Sequence, residues 1–137
     1  MPEKVLVYSR FPKALMLRIG ERYELLDAAG KPPNEMFSAE QLSDIRAMIT
    51  AGGTPLRADI LDLMPKLEAI VCYGTGYDGV DLAALAKRKI VLGHSPGANA
   101  ASVADIAMML MLAATRRLLV ADDMSAAEAG RGQSRRR

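Results

Sequence analysis

The chain has 137 residues, half of them hydrophobic and 25% charged, with a formal net charge of +2. That length suits one domain with a real core, and the composition excludes a disordered or fibrous chain. A lone cysteine, Cys72, excludes a disulfide framework or a cysteine-based metal site and fits a reducing, cytoplasmic setting.

Arg131, Arg135, Arg136 and Arg137 supply the basic excess; without these four the remainder carries −2, which argues against a nucleic-acid-binding face. No metal site is expected. The longest apolar run, 106–114, is far short of the roughly 20 residues that span a bilayer, and the N-terminus lacks the apolar core of a signal peptide. No membrane partner is expected either.

Residues 5–8 read as a strand, and Ser9-Arg10-Phe11-Pro12 opens a helix that carries Leu15, Leu17 and Ile19 and ends at Gly20. A second strand covers 23–26. Residues 28–34, with Gly30, Pro32 and Pro33, form a loop. Ser38 and Gln41 have the spacing of a capping box for a short helix bearing Leu42 and Ile45. The third strand, 47–50, runs into a glycine turn at Gly52-Gly53, and Ile60, Leu61, Leu63 and Met64 lie on the helix before Pro65.

Residues 69–73 are too short a run for a buried helix and are rich in strand formers, so they predict a central strand. Gly74, Gly76 and Gly79 follow directly. Asp81 then caps a helix over 82–88. Gly74 to Gly79 spells G-x-G-x-x-G, which leaves three readings open: a dinucleotide loop, a plain structural turn, or a cradle of backbone N–H groups for a small carboxylate. The dinucleotide reading fits least well. It needs an acidic residue about 20 positions on, whereas the next strand, 90–93, ends in His94-Ser95, and Asp78 and Asp81 would repel a pyrophosphate.

A third loop, 94–99, lies at the same sheet edge, and Asn99 caps a long last helix over 100–122. Between Ala100 and Ala114 only Ser102 and Asp105 are polar, so that helix is apolar on nearly every side. Such a helix needs a core or a partner around it. The expected architecture is α/β: a flavodoxin-like, doubly wound parallel sheet of about five strands, ending in the long apolar helix, with residues 124–137 a disordered basic tail. Two successive glycine turns would then sit side by side at the carboxyl edge, where open α/β sheets bind ligands.

Three segments carry a family resemblance: Tyr73-Gly-Thr-Gly-Tyr-Asp-Gly-Val-Asp81, His94-Ser-Pro-Gly-Ala-Asn-Ala-Ala-Ser-Val-Ala-Asp105 and Leu112-Ala-Ala-Thr-Arg-Arg-Leu118. Together they resemble the D-isomer-specific 2-hydroxyacid dehydrogenases, and among these the glyoxylate/hydroxypyruvate reductases, over about 45–130. The resemblance implies a substrate-binding (catalytic) domain, residues 1–123, that pairs with a Rossmann NAD(P)-binding domain. It implies that Gly74, Thr75 and Gly76 hold the carboxylate of a small 2-keto or 2-hydroxy acid, with Gly52 and Gly53 as the neighbouring wall. Asn99, Ser102 and Val103 match the segment that faces the nicotinamide half of NAD(P). Asp105 stands where the family more often has Glu.

By the same resemblance, the catalytic Arg, Glu and His belong to the coenzyme domain or lie just beyond it, and this chain has no catalytic residue of its own. Its single histidine, His94, is expected to be structural. The chain reads as the N-terminal part of such an enzyme, without the Rossmann domain, binding no cofactor tightly and inactive alone. Helix 100–122 would meet the coenzyme-binding domain or a second subunit. The alternative is a stand-alone module that binds a small carboxylate without catalysis.

Overall fold

A computed structural model describes residues 2–134, with side chains through residue 127. The elements alternate as expected: β1 (Lys4–Val7), α1 (Lys13–Gly20), β2 (Glu24–Asp27), α2 (Pro33–Met36), α3 (Ala39–Ser43), β3 (Ala47–Ala51), α4 (Ala58–Asp62), β4 (Ala69–Tyr73), α5 (Leu82–Arg88), β5 (Val91–Gly93), α6 (Ala100–Thr115) and α7 (Leu118–Ser134). The five strands form one sheet in the order β2-β1-β3-β4-β5, every pair parallel. That is the flavodoxin-like order.

Alternation along each strand divides the apolar residues between two faces. Leu6, Met48, Ile70 and Cys72 point to one face and pack with Leu42, Leu56, Leu61, Met64 and Leu85 from the following helices and turns. Val5, Val7 and Ile49 point to the other, where Phe11, Leu15 and Ile19 of α1 and its approach cover them. Fully burying a Leu, Ile or Met side chain stabilises by roughly 1.5–3 kcal/mol, so the first face contributes most. On the second face the cover stops short, and Val71, Tyr73 and Val91 are about half exposed or more.

Local signals set several boundaries. Ser38 Oγ accepts from the Gln41 N–H at 3.3 Å while Gln41 Oε1 accepts from the Ser38 N–H at 3.0 Å, completing the capping box of α3. Asp81 accepts from the Ala84 N–H at 3.0 Å and caps α5. The segment read as a loop over 28–34 contains the start of a one-turn helix, α2, because Pro33 fixes a helical φ at its first position.

The chain divides into two compact units, Met1–Ala98 and Asn99–Arg137. In the second, the single helix expected over 100–122 is two helices. They part at Arg116-Arg117, where Arg117 takes a left-handed φ of 49°. Thr115 Oγ1 donates back to the Met111 and Leu112 carbonyls at 3.0 and 3.1 Å, a local competition that loosens a helix end. The α7 backbone continues through Ser134, across most of the stretch whose composition predicts disorder; Arg135, Arg136 and Arg137 lie outside the described residues. No α6 side chain is buried, and Ile106 and Met108 to Leu112 each expose more than half their surface.

Candidate functional site

The parallel register of β3 on β4, with Thr50 opposite Cys72 and Ala51 opposite Tyr73, makes both strands end level, so their glycine turns leave the sheet together. The turns are then stitched backbone to backbone. The Gly79 N–H donates to the Gly52 carbonyl at 2.8 Å, the Leu56 N–H to the Gly79 carbonyl at 2.8 Å, and the Asp81 N–H to the Leu56 carbonyl at 3.2 Å. Leu56 and Val80 form a parallel bridge at the same place.

This approach leaves no room for side chains. A Cβ on Gly52 would overlap the Gly76 carbonyl, and one on Gly79 would come within 2.7 Å of the Thr54 carbonyl carbon. Ser9, just after β1, braces the β3 side. Its buried hydroxyl lies 3.0 Å from Thr50 Oγ1 and 2.8 Å from Thr54 Oγ1, and accepts from the Ala51 N–H at 2.9 Å.

The β4–α5 turn is open where the β3–α4 turn is not pressed on it. Gly74 has φ +115°, which an L side chain rarely adopts, and nothing stands within 4 Å of where its Cβ would be. Its carbonyl accepts from the Ser95 N–H at 2.9 Å, and the Thr75 carbonyl contacts His94 Nδ1 at 2.9 Å. The edge of one ring meets the face of the other where Tyr77 packs on His94, centroids 4.9 Å apart. The N–H groups of Thr75, Gly76, Tyr77 and Asp78 donate to no acceptor among the described residues. Gly53 is exposed, with nothing within 4 Å of its Cβ position.

The structure therefore brings Gly52, Gly53, Gly74, Thr75 and Gly76 into one pair of adjoining turns. Consecutive unpaired N–H groups make a concavity suited to an anion. Asp78 Oδ2 would stand 3.0 Å from a Cβ on Gly76, so a carboxylate already flanks the turn and disfavours a multiply charged guest. Asp81 is committed to the α5 cap. Under the turn, burial pushes the Cys72 thiol up, so it remains protonated at neutral pH.

Asn99, Ser102 and Val103 lie at the start of α6 in the second unit. Asn99 occupies the N-cap position, but its side chain makes no capping bond, contrary to the expected cap; the Val103 N–H bonds the Asn99 carbonyl at 3.0 Å. Ser102 and Val103 are exposed. Among the described residues no group of three His, Cys, Asp or Glu could hold a metal ion, and no helix is long and apolar enough to cross a membrane.

A separate cavity of about 520 Å³ lies between the loop after β2 and the start of α4, lined by Tyr8, Asn34, Glu35, Arg57 and Asp59 among others. Its two clearest charges neutralise each other, Arg57 to Asp59 at 3.0 Å, and burial together with Asp59 raises the Tyr8 phenol. It reaches the far end of the β3–α4 turn at Pro55 and Arg57 but includes none of the glycines of either turn, whose exposed donors are the better site for chemistry. Sequence reasoning missed Ser9 and the contact of His94 with Thr75; the signal for the first was a small polar residue directly after an apolar strand, at the edge where the turns gather.

Comparison with known proteins agrees with this fold. Residues 5–131 match the family described as D-isomer specific 2-hydroxyacid dehydrogenase, catalytic domain. The glyoxylate reductase of Korarchaeum cryptofilum is 32% identical over 123 residues, covering 89% of this chain and 37% of the relative. The glyoxylate/hydroxypyruvate reductase B of Salmonella heidelberg is 33% identical over 130 residues, covering 93% of this chain and 40% of the relative. Among solved structures, a 2-hydroxyacid dehydrogenase from Ketogulonicigenium vulgare superposes with a TM-score of 0.77 at 28% identity, over 89% of this chain and 39% of the other. An NADPH-dependent glyoxylate/hydroxypyruvate reductase from Sinorhizobium meliloti, in complex with NADP and malonate, gives 0.72 at 26% identity, over 82% and 34%. The chain thus spans about two fifths of the length of the curated relatives it matches.

Proposed function

The chain belongs to the D-isomer specific 2-hydroxyacid dehydrogenase family, and from that premise we propose that it is the substrate-binding part of an NAD(P)-dependent reductase of small 2-keto acids such as glyoxylate or hydroxypyruvate. The observation that carries the proposal is the run of unpaired N–H groups at Thr75, Gly76 and Tyr77, beside an open Gly53. A carboxylate accepting two or three backbone N–H bonds is held by the stronger, charge-assisted kind of hydrogen bond. Asp78 beside the turn leaves room for one negative charge more readily than for a diphosphate.

The G-x-G-x-x-G of this turn does not fit a dinucleotide. The next strand, β5, is followed by His94-Ser95 with no acidic residue to hold the ribose, and the acidic flank opposes a pyrophosphate. In the family, NAD(P) supplies the hydride; here Asn99, whose amide is not used as a cap, and Ser102 and Val103 are the residues assigned to its nicotinamide half. The domain reading keeps residues 1–123 as the substrate-binding part. The exposed apolar surface of α6 is assigned to contact with a coenzyme-binding domain or a second subunit.

Side chains at the turn are Thr75, Tyr77 and Asp78, and the one histidine of the chain is engaged with a carbonyl behind it. The proton donor and the orienting cation that the family resemblance implies belong to the coenzyme domain and not to residues 1–123, so these residues by themselves are expected to bind and not to turn over. Binding without chemistry as the whole function is the second reading, favoured by the cradle lying entirely within the first unit.

Titration calorimetry with glycolate tests the common premise. Binding of about 1 mM is expected, as suits a ligand of five heavy atoms held by a few hydrogen bonds. Ethylene glycol, which lacks the carboxylate, should give no heat, and Gly74→Val should abolish the glycolate signal. Equal binding of the two ligands would sink the cradle. NADPH oxidation by the purified chain with glyoxylate would overturn its inactivity.

A further inference from the structure

We propose that His94 is the positioning residue of the carboxylate cradle, fixing through its Nδ1 the peptide group whose other end, the Gly76 N–H, meets the ligand. This deepens the cradle reading and rests on it. A peptide unit is planar and trans, with its C=O and N–H antiparallel, so whatever holds the carbonyl also aims the N–H. The Thr75 carbonyl and the Gly76 N–H belong to one such unit, and the Gly74 carbonyl and the Thr75 N–H to the one before it.

Both carbonyls are held by adjacent residues of the β5–α6 loop: Ser95 donates its N–H to Gly74 at 2.9 Å, and His94 Nδ1 meets Thr75 at 2.9 Å. The two carbonyls therefore face that loop, and the two N–H groups face away from it, unpaired. A carbonyl oxygen can only accept, so the Nδ1 of His94 carries the proton. The bond also polarises the peptide and strengthens its N–H as a donor to an anion. Tyr77, with its ring against the imidazole at 4.9 Å, keeps His94 in that orientation. His94 is exposed and lies outside the apolar core, so its place at the turn answers to no need of the core.

The test combines imidazole 15N shifts of the labelled chain with glycolate titrations of His94→Phe and His94→Asn. The wild type should show the Nδ1–H tautomer. His94→Phe should weaken glycolate about five- to tenfold, the scale of one hydrogen bond, and shift the Gly76 amide resonance even without ligand. His94→Asn, whose amide nitrogen falls near the place of Nδ1, should restore binding to within about twofold of wild type, a rescue that a role in bulk packing would not produce.

An Nε2–H tautomer, undiminished binding by His94→Phe, or an asparagine variant as weak as the phenylalanine one would each overturn the proposal and leave the cradle standing. Absence of glycolate binding by the wild type would remove the cradle and the proposal with it. Should His94→Phe fail to fold, the tautomer and the asparagine variant decide.

Discussion

The β3–α4 and β4–α5 turns are both glycine-rich, adjacent and at the same sheet edge, yet their glycines answer to opposite demands. Gly52 and Gly79 are glycine because another backbone lies where a side chain would be. Gly53 and Gly74 face open space, and at Gly74 it is the φ of +115° that excludes a side chain. One pair of positions closes the turns onto each other; the other stays open. A glycine motif read as a string cannot separate the two uses, because Gly79, the last glycine of the G-x-G-x-x-G, belongs to the closing set.

The largest expected effect breaks the closed pair. Gly79→Val puts a branched side chain against the Thr54 backbone, which cannot move without opening the stitched turns. A loss of roughly 3 kcal/mol or more is expected, seen as a lowered midpoint in urea unfolding. A midpoint unchanged from wild type would mean that the two turns are not locked. Ser9→Ala comes next. It removes the acceptor of the Ala51 N–H and leaves the buried Thr50 hydroxyl only its long 3.4 Å bond to the Ala51 carbonyl, a cost of about 1–3 kcal/mol in the same measurement. Ser9→Cys, with a weaker hydrogen-bonding group of similar shape, should fall between.

The smallest effect sharpens the contrast. Gly53→Ala meets nothing within 4 Å and has no left-handed φ to strain, so stability should change by no more than about 0.5 kcal/mol. If Gly53→Ala proved as damaging as Gly79→Val, the division of the glycines would be wrong.

Much of the first unit was legible in sequence. Short apolar runs such as Ala69–Tyr73, separated by helix starts at Ser38 and Asp81, carry their own boundaries because strand alternation and capping are local effects. Helix α2 escaped notice because its proline pair signals a loop and a helix start equally. The second unit was less legible. Residues 100–122 read as one helix, since no proline or glycine interrupts them, and the break at Arg117 rests on a left-handed residue that propensity does not favour. Its apolar character was plain in the sequence, and α6 buries none of its side chains.

The sequence by itself determined the parallel α/β order, the two glycine turns and their place at the carboxyl edge, because hydrophobic periodicity and turn residues act over a few positions. Only the tertiary structure decided which glycines touch backbone and which face open space. That depends on the register of β3 against β4 and on contacts between residues far apart in the chain: Ser9 with Thr50, Gly52 with Gly79, and His94 with Thr75.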